Sequence, residues 1–281
     1  MQPANVTICT PFRDSEAHLQ TYMQQLYRLN YPPESLRFVA VEGDSNDQTV
    51  QHLRAWADQS ERATFLRCDT GKPKYGSVIN PERFALLASV FNLALDAVNL
   101  DWSDYVLFLP CDIAYSPDLL IRLIAHNKDI IAPMVWIWLN NRHVFYDTWG
   151  FIFNGKRFGH YTQAEIIASF GSEPARMDTV GGTVLIKAKV LRAGCRYSPT
   201  QVDRGLCRAA YQEGFTVWAD PCTNVYHPPF APASLPDLVD PQSRTTGNVR
   251  STILTNYGFD PGEQYAADFV KFVDILTRGN V

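Results

Sequence analysis

The stretch that most constrains the fold of this chain runs from Asp104 to Ala125. Tyr105 to Leu109 is an uninterrupted apolar run of strand length, the pattern of a strand covered on both faces in a parallel sheet. Pro110 ends it, because proline brings no N–H to a ladder. Asp112 follows at once, where an open α/β sheet presents its ligand crevice. Ser116-Pro117 then reads as an N-cap with proline at the first helical position. Asp118 adds negative charge to the first turn, and Leu119, Leu120, Leu123 and Ile124 form an apolar stripe. A carboxylate at a strand end, just before a helix, is a place to hold a hard cation and, through it, phosphate oxygens. A turn aspartate bonding its own backbone has the same local sequence, so the rest of the chain must decide between the two.

Upstream, apolar runs alternate with helical patterns. Asn5 to Thr10 reads as a strand that ends in the polar loop Thr10-Pro11-Phe12-Arg13-Asp14-Ser15. A helix follows from Glu16 to Leu29, with Leu19, Met23, Leu26 and Tyr27 at helical spacing, and Tyr31-Pro32-Pro33 stops it. Leu36 to Val41 is a second strand, followed by Glu42-Gly43-Asp44-Ser45-Asn46-Asp47. Asp47 or Ser45 suits the cap of the next helix, which leaves Glu42 and Asp44 to accept bonds from a ribose or a base. Ala63 to Arg67 reads as a third strand, and residues 69–81 as a mobile loop. The next helix, Glu82 to Val98, carries Arg83 in its first turn, where a cation is disfavoured by the dipole unless an anion joins it.

Downstream, Asp129 to Val135 is another strand. Trp136, Trp138, Tyr146 and Trp149 then crowd a loop-rich segment with Asn140, Asn141, Arg142, His143 and Asp147. Ring faces that stack on sugar faces, beside polar groups for the hydroxyls, suit a carbohydrate; an aromatic core beneath a long loop would read the same way. Val180 to Lys187 is a strand begun by Gly181 and Gly182, which permit close approach of a ligand or a second backbone. A helix follows from Asp203 to Gly214, and Thr216 to Ala219 is a short strand. Asp220-Pro221 and His227-Pro228-Pro229 then break regular structure. Residues 231–250 read as a loop or lid and 263–277 as an amphipathic helix carrying Phe269 and Phe272.

Alternation of strands and helices predicts one α/β domain with a mostly parallel sheet, and 281 residues with 46% hydrophobic and 19% charged side chains can bury its core. In such a sheet Glu42, Asp44, Asp112 and Asp203 converge on one crevice. A net charge of -4 gives no overall pull toward nucleic acid. Six cysteines without a CxxC pair point to free thiols in a reducing compartment and against a zinc site or a disulfide framework. With neither a signal peptide nor a membrane-spanning run, the expectation is a cytoplasmic protein without stable membrane insertion.

In their combined order these residues resemble the nucleotide-sugar glycosyltransferases of the GT-A fold, over about residues 5–230. Thr10-Pro11-Phe12-Arg13 looks like the loop bordering the nucleotide, and Glu42-Gly43-Asp44 like the acidic loop that contacts the nucleoside. Phe108-Leu109-Pro110-Cys111-Asp112 stands in the place of the metal-binding DxD motif, with Pro110 at its first acid. Asp203 with Gly205-Leu206-Cys207 looks like the late acidic motif, and His227 like the histidine that joins the metal. Within that fold the chain is most similar to the fungal mannan-polymerase mannosyltransferases, through Glu82-Arg83 and Asn92, Asn127-Lys128-Asp129 to Pro133, Tyr146-Asp147 with Trp149, and Val180-Gly181-Gly182-Thr183. Ser89 and Phe91 depart from that family's arginine-rich helix.

The resemblance implies a GT-A domain over residues 1–230, with 231–281 packing on it as a lid loop and helix. It also implies a Rossmann-like sheet, a UDP- or GDP-linked sugar donor and a manganese or magnesium ion. Asp112 and His227 would be the metal ligands, and Asp203 with Asp112 the catalytic residues. Thr10, Pro11, Phe12, Arg13, Glu42, Asp44, Arg83, Asn92, Asp147, Trp149, Gly181 and Gly182 would hold the donor. The acceptor could be a glycan, a small-molecule hydroxyl, or a hydroxymethylated base in DNA; for DNA the candidate contacts are Arg142, His143, Lys156, Arg157, His160, Arg244 and Arg250. A rival without turnover is a degenerate relative that only binds a nucleotide sugar or glycan.

Overall fold

The apolar runs of the sequence become neighbouring strands of one sheet. The computed structural model describes residues 3–75, 80–139 and 142–227. Its first half alternates as β1 (Val6–Phe12), α1 (Glu16–Tyr27), β2 (Leu36–Glu42), α2 (Thr49–Asp58), β3 (Ala63–Arg67), α3 (Pro81–Asp96), β4 (Tyr105–Phe108), β5 (Ala114–Tyr115) and α4 (Leu119–Ala125). The second half continues with β6 (Ile130–Leu139), β7 (Arg142–Phe145), β8 (Ile152–Phe153), β9 (Lys156–Arg157) and α5 (Gln163–Phe170). It ends with β10 (Ala175–Arg176), β11 (Val184–Lys187), α6 (Ala188–Arg192), α7 (Asp203–Gln212) and β12 (Val217–Tyr226).

The main sheet has the order β10-β12-β6-β11-β4-β1-β2-β3, with β5 added to β12 and β7 to β6. β3, β2, β1 and β4 are parallel, as are β6 and β12; β11 runs antiparallel between β4 and β6, and β10, β5 and β7 are antiparallel to the strands they join. Two antiparallel steps restore the direction, so β6 and β12 end on the same edge as β1 to β4, and β11 begins there. The register Val184↔Phe108 puts the start of β11 beside the end of β4. That topology brings Gly181 and Gly182 to the edge where Glu42 and Asp112 also emerge.

Helices cover both faces. Cys9, Val106 and Phe108 pack with Ala88 and Leu95 of α3 and with Leu206 and Ala210 of α7. Ile8, Leu107 and Leu109 pack on the other side with α1, α2 and α4 through Leu19, Leu53 and Leu120. All four residues of β4 are buried, so each large apolar side chain there contributes roughly 1.5–3 kcal/mol.

Several boundaries differ from the sequence reading. β1 continues through Phe12, because the Thr10 hydroxyl donates to Leu109 O at 2.8 Å and lies 2.6 Å from the Tyr22 hydroxyl, while Phe12 packs edge-on against Tyr22. β6 runs to Leu139 and returns as β7, so Trp136 and Trp138 belong to a strand. Trp136 is buried and donates from Nε1 to Asn224 Oδ1 at 2.8 Å. Asp220-Pro221 does not end a strand: β12 passes through it with a register irregularity before Asn224. A bulge tolerates proline, and the Asp220 carboxylate takes up Cys222 N and the Thr223 hydroxyl. α4 begins at Leu119, two residues past Pro117: Leu119 N closes a turn on Ser116 O at 3.0 Å, and the first helical bond runs from Arg122 N to Asp118 O at 3.0 Å. α5 was not expected, although Thr162 and Glu165 form a capping box that the sequence displays.

All six cysteines are free thiols. Among the described residues no helix is long and apolar enough to cross a membrane. The expected lid at 231–250, the helix at 263–277, Asn140, Asn141, Arg244 and Arg250 lie outside the described residues.

Candidate active site at the strand ends

The loops that follow β1, β2 and β3 are latched together. Arg13 donates from Nη2 to Lys72 O at 2.7 Å and from Nη1 to Pro73 O at 3.4 Å, and lies 3.9 Å from Asp44 Oδ2. Asp44, at a left-handed φ of 59°, accepts from Thr70 N at 3.0 Å, the Thr70 hydroxyl at 2.6 Å and Gly71 N at 2.8 Å. The Thr70 hydroxyl chiefly, with these amides, holds its carboxyl below the ordinary carboxylate range. Residues 69–75 are therefore tied down, in place of the mobile loop that the sequence suggests. Gly43 is required here, since a Cβ would stand 2.3 Å from Cys68 O. Glu42 is fully buried, accepts Ser45 N at 2.9 Å, and leaves Oε2 without a hydrogen-bond partner among the described residues. Asp47 acts as a cap, accepting from Glu16 N and Thr49 N at 3.0 Å each.

At the middle of the edge, Asp112 Oδ2 lies 3.5 Å from His227 Nε2. His227 leaves β12 with its amide bound to Trp136 O at 2.7 Å, and its ring stacks on Tyr146 at 4.1 Å between centroids, 12° from parallel. His18 of α1 lies within the field of this pair: burial lowers its pKa, and the charges of Asp112, His227 and Lys74 act on it. Sequence reasoning passed over His18, which sits in a helix start without a motif. Arg83, half-buried in the first turn of α3, is not ion-paired among the described residues. Burial raises the Tyr146 hydroxyl, Asp112 and Asp147 add to the shift, and the Arg83 charge opposes it, so the field of Arg83 reaches this centre.

Beside it stands a carboxylate pair. Asp147 follows β7, and Tyr146 N donates to Val135 O at 2.8 Å. Asp203 opens α7. A Cβ on Gly181 would lie 2.9 Å from Asp147 Oδ2 and 3.1 Å from Asp203 Oδ2, and one on Gly150 would lie 2.4 Å from Asp147 Oδ2. The glycines thus make the space in which both acids fit. Burial raises both pKa values. Asp147 is offset by the Gly150 amide, which donates to Oδ1 at 2.7 Å, whereas Asp203 has the Asp147 charge against it and is pushed to about 7. Asp203 is thus the acid that gives up its proton only near pH 7, above which it is free to act as a base.

The backbone before Asp203 is strained. Val202 has a φ of 44°, a left-handed conformation that a β-branched side chain avoids. It is held there by a bond from its amide to Ser198 O at 2.7 Å and by Gly205, where a Cβ would stand 2.1 Å from Ser198 Cβ. Nearby, Trp149 is 40% exposed, the Arg157 guanidinium lies 3.9 Å over its ring, and Arg204 Nη2 donates to its carbonyl at 2.9 Å.

Not every predicted residue reaches the crevice. The side chains of Thr10 and Phe12 are buried, and Pro11 is paired with Val41 inside the sheet. Asn92 of α3 uses both ends of its amide on the backbone of Tyr197, at 2.9 Å each, so it is a clamp between elements. Several of the basic residues considered for DNA are engaged within the chain. His143 packs against Trp138 and Tyr226, His160 bonds Phe145 O, and Arg157 lies on Trp149.

Comparison with known proteins agrees with this architecture. The Anp1 family model matches residues 2–156. The anp1 subunit of the mannan polymerase II complex of Schizosaccharomyces pombe is 24% identical over 274 residues, covering 79% of this chain and 63% of its own length. Human procollagen galactosyltransferase 2 is 29% identical over 158 residues, covering 53% of this chain and 25% of its own. The chain thus spans less than two thirds of either relative. The mannosyltransferase PcManGT from Pyrobaculum calidifontis, solved with GDP-Man and Mn2+, has a TM-score of 0.51 at 13% identity, over 99% of this chain and 76% of that one. The chain belongs to the Anp1 family and carries the GT-A fold of nucleotide-sugar glycosyltransferases.

Proposed function

We propose that this chain is a glycosyltransferase that binds a nucleoside-diphosphate sugar with a divalent cation and transfers the sugar to an acceptor hydroxyl. The observation that carries the reading is the meeting of Asp112 and His227 at the sheet edge, within the field of Arg83, with the Asp147/Asp203 pair beside them. A carboxylate oxygen and an imidazole nitrogen 3.5 Å apart can both reach one ion at roughly 2.0–2.2 Å. Among the described residues no third His, Cys, Asp or Glu completes a metal cluster, so the remaining positions suit diphosphate oxygens and water. An oxygen–imidazole donor set favours manganese over magnesium. When bound, the cation would neutralise charge on the departing diphosphate.

The other roles belong to the chain itself. Arg13 and Asp44 hold the loop walls of the nucleoside pocket, with Glu42 buried at its base. Arg83 supplies a second positive charge to the diphosphate. Tyr146 and Trp149 offer ring faces to the sugar, and Gly181 and Gly182 let it approach the carboxylates. Asp203 takes the proton of the acceptor hydroxyl as that oxygen attacks the anomeric carbon and the sugar–phosphate bond breaks. Asp147 orients the hydroxyl.

The test is release of nucleoside diphosphate from a panel of UDP- and GDP-sugars, with manganese and then with EDTA. Release from one donor, abolished by EDTA, is the expected result. Tight donor binding with no turnover under any acceptor tried would replace the enzyme by a binding protein.

A further inference from the structure

Beyond the carboxylate pair, one face of α7 lines an open trough. Arg204, Arg208 and Tyr211 stand at i, i+4 and i+7, so they share that face, and it begins one residue after Asp203. They border a cavity of about 460 Å³ with Asp178 and Gln212. A second cavity of about 690 Å³ shares Asp178 and Tyr211 with the first and adds Arg176. The two therefore adjoin at Asp178 and Tyr211. Next to the first cavity, Arg157 and Arg204 both touch Trp149, and each lies in the field of the other. Farther along, Arg176 rests 5.7 Å from the centroid of the Tyr211 ring, whose hydroxyl is anchored on Met177 O.

The charge balance of this trough is unlike that of the chain, whose net charge is -4. Arg204 and Arg208 line the first cavity, Arg176 lines the second, and Arg157 lies over Trp149 near Arg204; among the described residues none is ion-paired. Asp178, the acid in both linings, accepts Gly155 N at 2.7 Å. Four guanidinium groups outnumber the one carboxylate in the linings, so the trough favours an anion over a cation. At 1.5 Å per helical residue, Arg208 lies about 8 Å and Tyr211 about 12 Å along the axis from Asp203.

We propose that the trough is the acceptor site and that the acceptor is an anionic glycan, with a phosphate or carboxylate held by Arg208 and Arg176 beyond the sugar that receives the transfer. This rests on the glycosyltransferase reading, since it takes Asp203 as the point of attack. The two arginines select the acceptor by fork-shaped hydrogen bonds to an oxyanion, which a neutral glycan cannot supply.

The experiment is calorimetric binding to the full chain of three probes: mannobiose, mannobiose phosphorylated on its terminal sugar, and a disaccharide ending in a uronic acid. At least one anionic probe should bind tenfold or more tighter than mannobiose, about the effect of one charge-assisted pair. The double variant Arg176→Gln with Arg208→Gln should reduce that advantage to about twofold or less. Whichever anionic probe binds tighter identifies the anion. Equal affinity for all three probes, or a preference that survives the double variant, overturns the proposal. Binding of UDP and GDP with manganese is measured on the same samples and should not change in the double variant. Loss of nucleotide binding by the wild-type chain would count against the transferase reading, whereas intact nucleotide binding without anion preference would count against the trough alone.

Discussion

Replacement of Asp203 by Asn should make the protein more stable and inactive at once. Asp203 has a pKa near 7 because it is buried against Asp147. In an unfolded chain the same group ionises near 4. Between those values the native state keeps a proton that the unfolded state has released, so stability falls as pH rises from about 4 to about 7 and stays low above it. A shift of that size corresponds to about 4 kcal/mol, and Asp203 keeps some contact with solvent, so we take about 2–4 kcal/mol. Asn is nearly isosteric and carries no charge, and so removes this penalty. Asp203→Asn should therefore unfold about 5–10 °C higher than wild type at pH 8 and within about 2 °C of it at pH 4. Sugar transfer at pH 8 should fall by 10²-fold or more, the range of a lost general base. Wild-type transfer should rise about tenfold per pH unit below 7 and level off above it. Paired melting curves at pH 4 and pH 8, with transfer measured on the same preparations, check the argument. Equal melting temperatures for the two proteins at pH 8 would refute it, since neither burial nor the Asp147 charge would then penalise the ionised Asp203.

Other perturbations probe the remaining parts of the site. Gly181→Ala places a methyl 2.9 Å from Asp147 Oδ2 and 3.1 Å from Asp203 Oδ2, and should cost about 1–3 kcal/mol in chemical denaturation while raising the acceptor KM. Asp44→Ala removes three hydrogen bonds to Thr70 and Gly71, and limited proteolysis should then cut within residues 69–75 at least tenfold faster. Arg83→Gln should raise the donor KM about tenfold, a smaller effect falling short of a diphosphate contact, and leave the melting temperature within about 2 °C.

Much of this site was legible because its residues sit at strand ends. The apolar run before Pro110 located Asp112, and the glycine pair before Val184 located the start of β11. The alternation of elements supplied the common edge on which both lie. Partners distant in sequence were not legible. Asp44 looks free until Thr70 and Gly71 fold onto it, and Asn92 until Tyr197 arrives from 105 residues away. Thr10 looks like a loop residue, yet its hydroxyl is held by Leu109 across the sheet. The proline in Asp220-Pro221 has the local signature of a strand end, and only the pairing of β12 with β6 on both sides of it shows a bulge. The strain at Val202 has no sequence signal, since nothing in a valine announces a left-handed backbone.

The central claim is that the crevice at Asp112 and His227 holds a nucleoside diphosphate together with a divalent ion. Its most direct test is calorimetric titration of GDP and of UDP into the wild-type chain and into Asp112→Asn, each with manganese and with EDTA. The account predicts that one nucleotide binds wild type with manganese, that EDTA weakens it by tenfold or more, and that Asp112→Asn binds equally weakly in both buffers. Binding that is indifferent to manganese in the wild-type chain, or a manganese dependence that survives Asp112→Asn, would contradict it.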